Sequence, residues 1–163
     1  MGFPTIPGVT YNGLMTTGDL FDFGPFSYDG ILTTLPPLPL GSPYPAFVPK
    51  TDADGNDVAG VRLPEIAVPL ATYPGWSLRA APFAGGDLCD ASGQTLAFHR
   101  TQAKRLAIGD TRLSIEERYR SHGAYVSAVA LAANNLHQQR LLLGEDVERI
   151  IEAAGESAVG LRK

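Results

Sequence analysis

The residues most able to do chemistry here are three histidines, one cysteine and a knot of acids. A nucleophilic site needs a serine or cysteine activated by a histidine that an acid in turn orients. The histidines are His99, His122 and His137, and no stretch of the chain reads G-x-S-x-G or carries another local signature of an activated nucleophile. Ser121 and His122 adjoin in sequence, but adjacency is not triad geometry. His122 and His137 are too far apart for the one-turn histidine pair of a metalloprotease. Cys89 stands between Asp87 and Asp90. Negative neighbours oppose thiolate formation, so it reads as a small structural residue. One weak grouping is left, His99 with Asp87 and Asp90, which only the fold could assemble into a site. The sequence implies no metal and no cofactor.

Two further stretches carry a functional reading beside a plainer one. Asp52, Asp54, Asn56 and Asp57 offer clustered oxygens, as calcium requires. The spacing opens like an EF-hand loop, but Gly55 falls at the fourth place rather than the sixth, and Glu65 misses the twelfth. An Asx-rich turn explains the stretch without a metal. The segment Thr72–Arg79 holds the only tryptophan beside a Pro-Gly turn. Tyr73, Trp76 and Arg79 together would make an aromatic and cationic binding wall. The plainer reading is an aromatic plug that anchors a loop over a core.

Composition narrows the function classes. The chain has 163 residues, 44% of them hydrophobic and 18% charged, which suits a folded domain or a large part of one. A net charge of −4 gives no global attraction to nucleic acid or anionic lipid, so neither is expected as a partner. Lys104, Arg105, Arg112, Arg118 and Arg120 are interleaved with Asp110, Glu116 and Glu117. That pattern reads as a solvated face laced with ion pairs. A single cysteine excludes an intrachain disulfide and a multi-thiolate zinc site. No apolar run is long enough to span a bilayer, and the first residues lack the form of a secretory signal. The compartment is left open.

The elements that must position these residues divide at Pro82. All 13 prolines lie between Pro4 and Pro82. All but Phe98, Tyr119 and Tyr125 of the aromatic residues lie at or before Phe83. Proline fixes one dihedral and removes a donor, so residues 1–82 should form short strands and turns. Candidate strands are Phe47–Val48, Val58–Leu63 and Ile66–Thr72, with a hairpin turning at Thr51–Asp57. Residues 83–163 should be helical. Thr101 caps a short helix that stops at Gly109. Ser114 and Glu117 form a capping box. Tyr125, Val126, Val129, Ala132, Ala133, Leu136 and Arg140 follow the spacing of a longer helix, with Tyr125–Leu136 as its buried stripe, that Leu141–Leu143 closes and Gly144 ends. A last helix covers Glu145–Ala154, and the tail from Gly155 frays. The fold class expected is α+β, with an irregular first half and three or four helices after it.

Several stretches together resemble the C-terminal region of a bacterial family of α/β-hydrolase-like proteins. They are Gly2–Val9 (GFPTIPGV), Tyr44–Arg79, Gly109–Val129 and Arg140–Ile150, in consistent order over most of the chain. The resemblance implies a parent that hydrolyses esters or related acyl groups with a serine nucleophile. It places that serine and the catalytic histidine upstream of Gly2, and no residue here matches a family catalytic motif. The implied part of this chain is non-catalytic. It would pack on the hydrolase core and wall the substrate pocket with Tyr73, Trp76 and Arg79. Met1 directly before Gly-Phe-Pro would then reflect an internal start, a split gene or a fragment. The implied partner is the missing hydrolase core or a second copy of the chain. The rival expectation is a free-standing helical interaction or oligomerisation module without enzymatic activity.

Overall fold

The computed structural model describes residues 3–9, 19–43, 49–80, 82–83, 88–89 and 92–161. The architecture is α+β, as expected. By contact, the chain forms two units that cut across the compositional boundary at Pro82. One comprises Met1–Thr10, Pro49–Gly75 and Gly93–Lys163; the other comprises Tyr11–Val48 and Trp76–Ser92. We call them the helical unit and the hairpin unit.

The hairpin unit pairs β1 (Asp19–Asp22) with β2 (Leu38–Pro43) and β4 (Ser77–Leu78) with β5 (Leu88–Cys89), each antiparallel. The register between β1 and β2 is irregular between Asp19 and Phe21. Pro39 and Pro43 stand in β2, where a missing N–H is tolerated because the strand lies at a sheet edge. No apolar side chain of this unit is buried among the described residues. Phe21, Phe26, Ile31, Leu32, Leu35, Leu38, Leu40 and Phe83 are all exposed.

Prolines aside, the apolar residues buried among the described ones all lie in the helical unit: Ile6, Ala71, Phe98, Tyr125, Val129, Ala133, Leu136, Val147 and Ala154. Its elements are α1 (Pro64–Ala67), β3 (Ala71–Thr72), β6 (Leu96–Ala97), α2 (Gln102–Ala107), α3 (Ile115–Arg118), α4 (His122–Gln138) and α5 (Gly144–Glu156). Antiparallel pairing joins β3 to β6. The helix starts follow local chemistry. Thr101 Oγ1 accepts from the Lys104 N–H at 3.2 Å, and Gly109 stops the chain in the left-handed region at φ 76°. Both arms of the Ser114–Glu117 box are formed. Ser121 caps α4 through the Ala124 N–H. The chain therefore breaks between α3 and α4 at Tyr119–Ser121.

The buried stripe of α4 is Tyr125, Val129, Ala133 and Leu136, four of the positions that helical spacing selected. Tyr125, Val129 and Ala154 of α5 form the centre of the core, with Val68, Leu70, Tyr119, Ile150 and Val159 packed around it. Tyr119 meets Tyr125 edge-on, ring centroids 5.0 Å apart. Each such side chain stabilises the fold by about 1.5–3 kcal/mol relative to leaving it in water.

Several expectations fail, each for a local reason. Val58–Leu63 is not a strand: residues 58–60 are bends and 61–63 irregular, and beyond the Val58 N–H bond to Lys50 O no strand among the described residues pairs with the stretch. Ile66 lies in α1, where Pro64 at the first position pre-sets the helical dihedral; only Ala71–Thr72 of that stretch is extended. Phe47–Val48 lies outside the described residues. The turn at Asp52–Asn56 does form, closed by Asp52 N–H to Asn56 O at 2.8 Å, and Thr51 bridges Asp57. Gly144 does not end α4; it begins α5. Arg140 ends α4 instead, at φ 62°. Its N–H donates to His137 O and that of Leu141 to Leu136 O, the paired bonds of a Schellman cap. The tail is docked rather than frayed through Leu161. His122 Nδ1 and Nε2 meet Val159 O and Gly155 O at 2.9 and 3.0 Å. A Cβ on Gly160 would lie 2.5 Å from the His122 nitrogen, so only glycine fits there.

Candidate functional site

The densest polar structure of the molecule is built on Arg112. Its side chain is 3% exposed and that of Asp110 is 1% exposed. Asp110 Oδ1 accepts from Arg112 Nε at 3.0 Å and Oδ2 from Nη2 at 2.8 Å. Arg112 Nη1 donates to Thr72 Oγ1 at 2.8 Å and to Leu96 O at 2.7 Å, and Nη2 reaches Ala97 O. All five guanidinium donors thus have acceptors, which a fully buried arginine requires. Burial alone pushes the Asp110 carboxyl up; the hydrogen bonds and charge of Arg112, with His99 adding, outweigh it and hold the group below its ordinary range.

Around this pair the acid-rich turn is tied down. Asp52 Oδ1 accepts from the Asp54 and Asn56 N–H groups, and its other oxygen takes Arg62 Nη2 at 2.6 Å. Asp54 binds Arg118 through both carboxylate oxygens. Asn56 is fully buried; it donates to Ala71 O at 3.1 Å and accepts the Tyr73 N–H at 2.8 Å. Arg118 lies 4.1 Å over the Phe98 ring and Arg112 5.1 Å from it. The turn is thereby a structural knot in which the Asp52 carboxylate holds backbone and Arg62, and that of Asp54 holds Arg118. Among the described residues no three His, Cys, Asp or Glu side chains gather as metal ligands.

In the basic middle of the sequence Arg105, Arg112 and Arg118 are ion-paired while Lys104 and Arg120 have no ion pair among the described residues, and Arg112 is buried rather than solvated. Arg105 grips Glu117 through Nε and Nη2, both at 2.6 Å. That bond, with the Ser114 hydroxyl and N–H, pulls the Glu117 carboxyl far below its ordinary range. Two-residue separation of Asp110 and Arg112 was the only trace of the buried pair in the sequence.

The histidines do not form a nucleophilic site among the described residues. His99 Nε2 lies 3.9 Å from Asp110 Oδ2, beyond hydrogen-bond distance, and that carboxylate already serves Arg112. Asp87 and Asp90 lie outside the described residues. His122 braces the tail, and His137 Nδ1 meets Leu142 O at 3.0 Å. Cys89 sits in β5, in register with Ser77.

Of the expected wall, Tyr73 belongs to the helical unit and Trp76 and Arg79 to the hairpin unit. Trp76 is half-buried and Arg79 exposed. Tyr73 lines a groove of about 340 Å³ with Glu65, Leu70, Tyr125, Arg149, Ile150 and Ser157. Burial pushes the Tyr73 phenol up, and the Glu65 carboxylate adds to the shift; Tyr125 is raised the same way, first by burial and then by Tyr73 and Glu65. A neutral phenol can donate a hydrogen bond and give apolar contact.

A family model described as alpha/beta hydrolase domain matches residues 9–152. The chain belongs to that family. No curated protein and no solved structure matches it. In an alpha/beta hydrolase the nucleophilic serine sits on a sharp turn that leads from a strand into a helix, above the sheet. Among the described residues every strand pairing is a two-stranded antiparallel one, and no serine occupies such a turn. Gly155-Glu156-Ser157-Ala158-Val159-Gly160 comes nearest to the elbow pattern, with its second glycine one place late. Ser157 ends α5, and its hydroxyl donates to Ala154 O at 2.7 Å. It is a helix terminus, not an elbow.

Proposed function

We propose that this chain is the non-catalytic C-terminal part of an alpha/beta hydrolase-type protein whose reaction is serine-type ester or acyl hydrolysis. Its work is to pack on the hydrolase core and to wall the substrate pocket, with Tyr73, Trp76 and Arg79 as the wall residues. The observation that carries the reading is the pairing of family membership with a hairpin unit whose apolar side chains lie open to solvent. A two-stranded ribbon without a buried face is marginal in water, and contiguous exposed apolar surface marks a place of association. The absence of an elbow serine among the described residues supports assigning the chemistry to another part of the parent. Nucleic acid and membrane have no place in this reading. Among the described residues no helix is long and apolar enough to cross a bilayer.

The direct test is turnover of a short activated ester such as p-nitrophenyl butyrate by the purified chain. No hydrolysis above buffer is expected. Turnover that co-purifies with the chain and disappears in His99→Ala, the one histidine beside an acid, would overturn the reading. A second reading is a self-standing helical interaction module. It is favoured by the confinement of the buried apolar residues, among the described ones, to the helical unit. Sedimentation separates the two: a stable dimer of the chain alone supports the module, and a monomer supports the hydrolase part.

A further inference from the structure

The arginines of the helical unit sort into two groups. Arg62, Arg105, Arg112, Arg118 and Arg149 each meet a carboxylate. Arg100, Arg120 and Arg140 have no ion pair among the described residues; Arg140 ends α4, and the other two line a single cleft of about 850 Å³. The rest of that cleft is largely apolar, with Ile115, Tyr119 and Leu161 on its walls. Tyr119 donates its hydroxyl to Pro69 O at 2.8 Å, so it presents a ring. Glu116 also lines the cleft, and its Oε1 accepts the Gln102 N–H at 2.5 Å, which ties it to the start of α2. The side chains leave a net positive cleft on a chain whose net charge is −4.

We infer that this cleft binds an amphiphilic anion: an apolar body on Ile115, Tyr119 and Leu161, with a carboxylate or phosphate head on Arg100 and Arg120. Three physical points converge. Unpaired guanidinium groups are the side chains best shaped for a two-oxygen anion. A cleft with low-dielectric walls focuses their field on its mouth. Its volume lies within the range of small-molecule sites. The cleft shares no lining residue with the Tyr73 groove.

Calorimetric titration of the purified chain tests it, with octanoate, octyl phosphate and octanol as probes. The three share one apolar body and differ in the head. Octanoate or octyl phosphate should bind, and the stronger of the two identifies the head group. Octanol should bind at least about tenfold more weakly, as expected when charge-assisted bonds are lost. The double variant Arg100→Ala/Arg120→Ala should lose about tenfold or more in affinity for the anion with an unchanged circular dichroism spectrum, since neither side chain holds a described partner. Lys50→Ala, which removes an exposed cation outside the cleft, should bind as the parent does. Equal binding of octanol and the anions, no binding of any probe, or an undiminished affinity in the double variant would overturn the assignment. Each of these outcomes is independent of ester turnover and of the chain's oligomeric state.

Discussion

The helical unit and the hairpin unit are made from the same chain by opposite means. The helical unit buries a core and locks it with a buried charge network, although Leu106, Leu131 and Leu143 on its surface stay exposed. The hairpin unit keeps its ladders but leaves Phe21, Phe26, Leu35 and Leu40 in water. Hydrogen bonds alone contribute little net stability, because water offers the same bonds to the open chain. One unit therefore has a buried apolar core to stabilise it, and the other has none among the described residues.

The contrast is sharpest at Arg112. Replacing it with alanine strands the Asp110 carboxylate and withdraws donors from Thr72, Leu96 and Ala97. Urea unfolding followed by circular dichroism should show a loss of about 3–5 kcal/mol, the usual result of breaking a buried pair from one side. A loss below about 1 kcal/mol would mean that water relieves the site and that the network is not what locks this unit. Leu136→Ala should remove about 2–4 kcal/mol through its cavity. The matching change Leu35→Ala in the hairpin unit should stay within about 0.5 kcal/mol, as exposed positions do. Equal losses from the two would erase the distinction between the units.

Much of the helical unit was legible because its determinants are local. Thr101, Ser114 with Glu117, and the Tyr125–Leu136 stripe each act within a turn or two of helix. The Asx-rich turn at Asp52 was legible for the same reason. The network on Arg112 was not, since Thr72 and Leu96 come from strands far away in sequence. Spacing could not show that Asp54 would meet Arg118, nor that Gly160 would seat against His122. Val58–Leu63 misled because a β-rich composition says nothing about whether a partner strand exists. Gly144 misled because an arginine had taken the left-handed position that glycine usually fills. At the functional level the resemblance led correctly to the alpha/beta hydrolase family, while the wall of Tyr73, Trp76 and Arg79 stands as a proposal.

Acid probes the same contrast more gently. Asp110 and Glu117 have folded-state values below their ordinary ones. A depressed carboxyl contributes stability that is fully present above its unfolded value, about 4, and is lost as pH falls toward the folded value. The unfolding midpoint should accordingly drop below about pH 4, and Asp110→Asn should flatten that dependence. A profile unchanged by this variant would remove Asp110 from the account. The smallest effect is expected at the α4 terminus. Arg140→Gly relieves a left-handed arginine and should raise stability by about 0.5–1 kcal/mol, read from the same urea curves. A decrease would show that the unfolded-state entropy of glycine outweighs the relief.

The prolines of β2 carry a consequence for the life of the hairpin before it meets any cover. Among the described residues, β1 and β2 make a sheet of two strands, so each has a second flank to which another chain could add itself. A ribbon of that kind with Leu38 and Leu40 in water has the makings of a seed for fibrils. Pro39 and Pro43 have no N–H to offer an incoming strand, and the irregular register near Phe21 twists the ribbon away from flatness. The residues that weaken the sheet as a structure thus also weaken it as a template for an added strand.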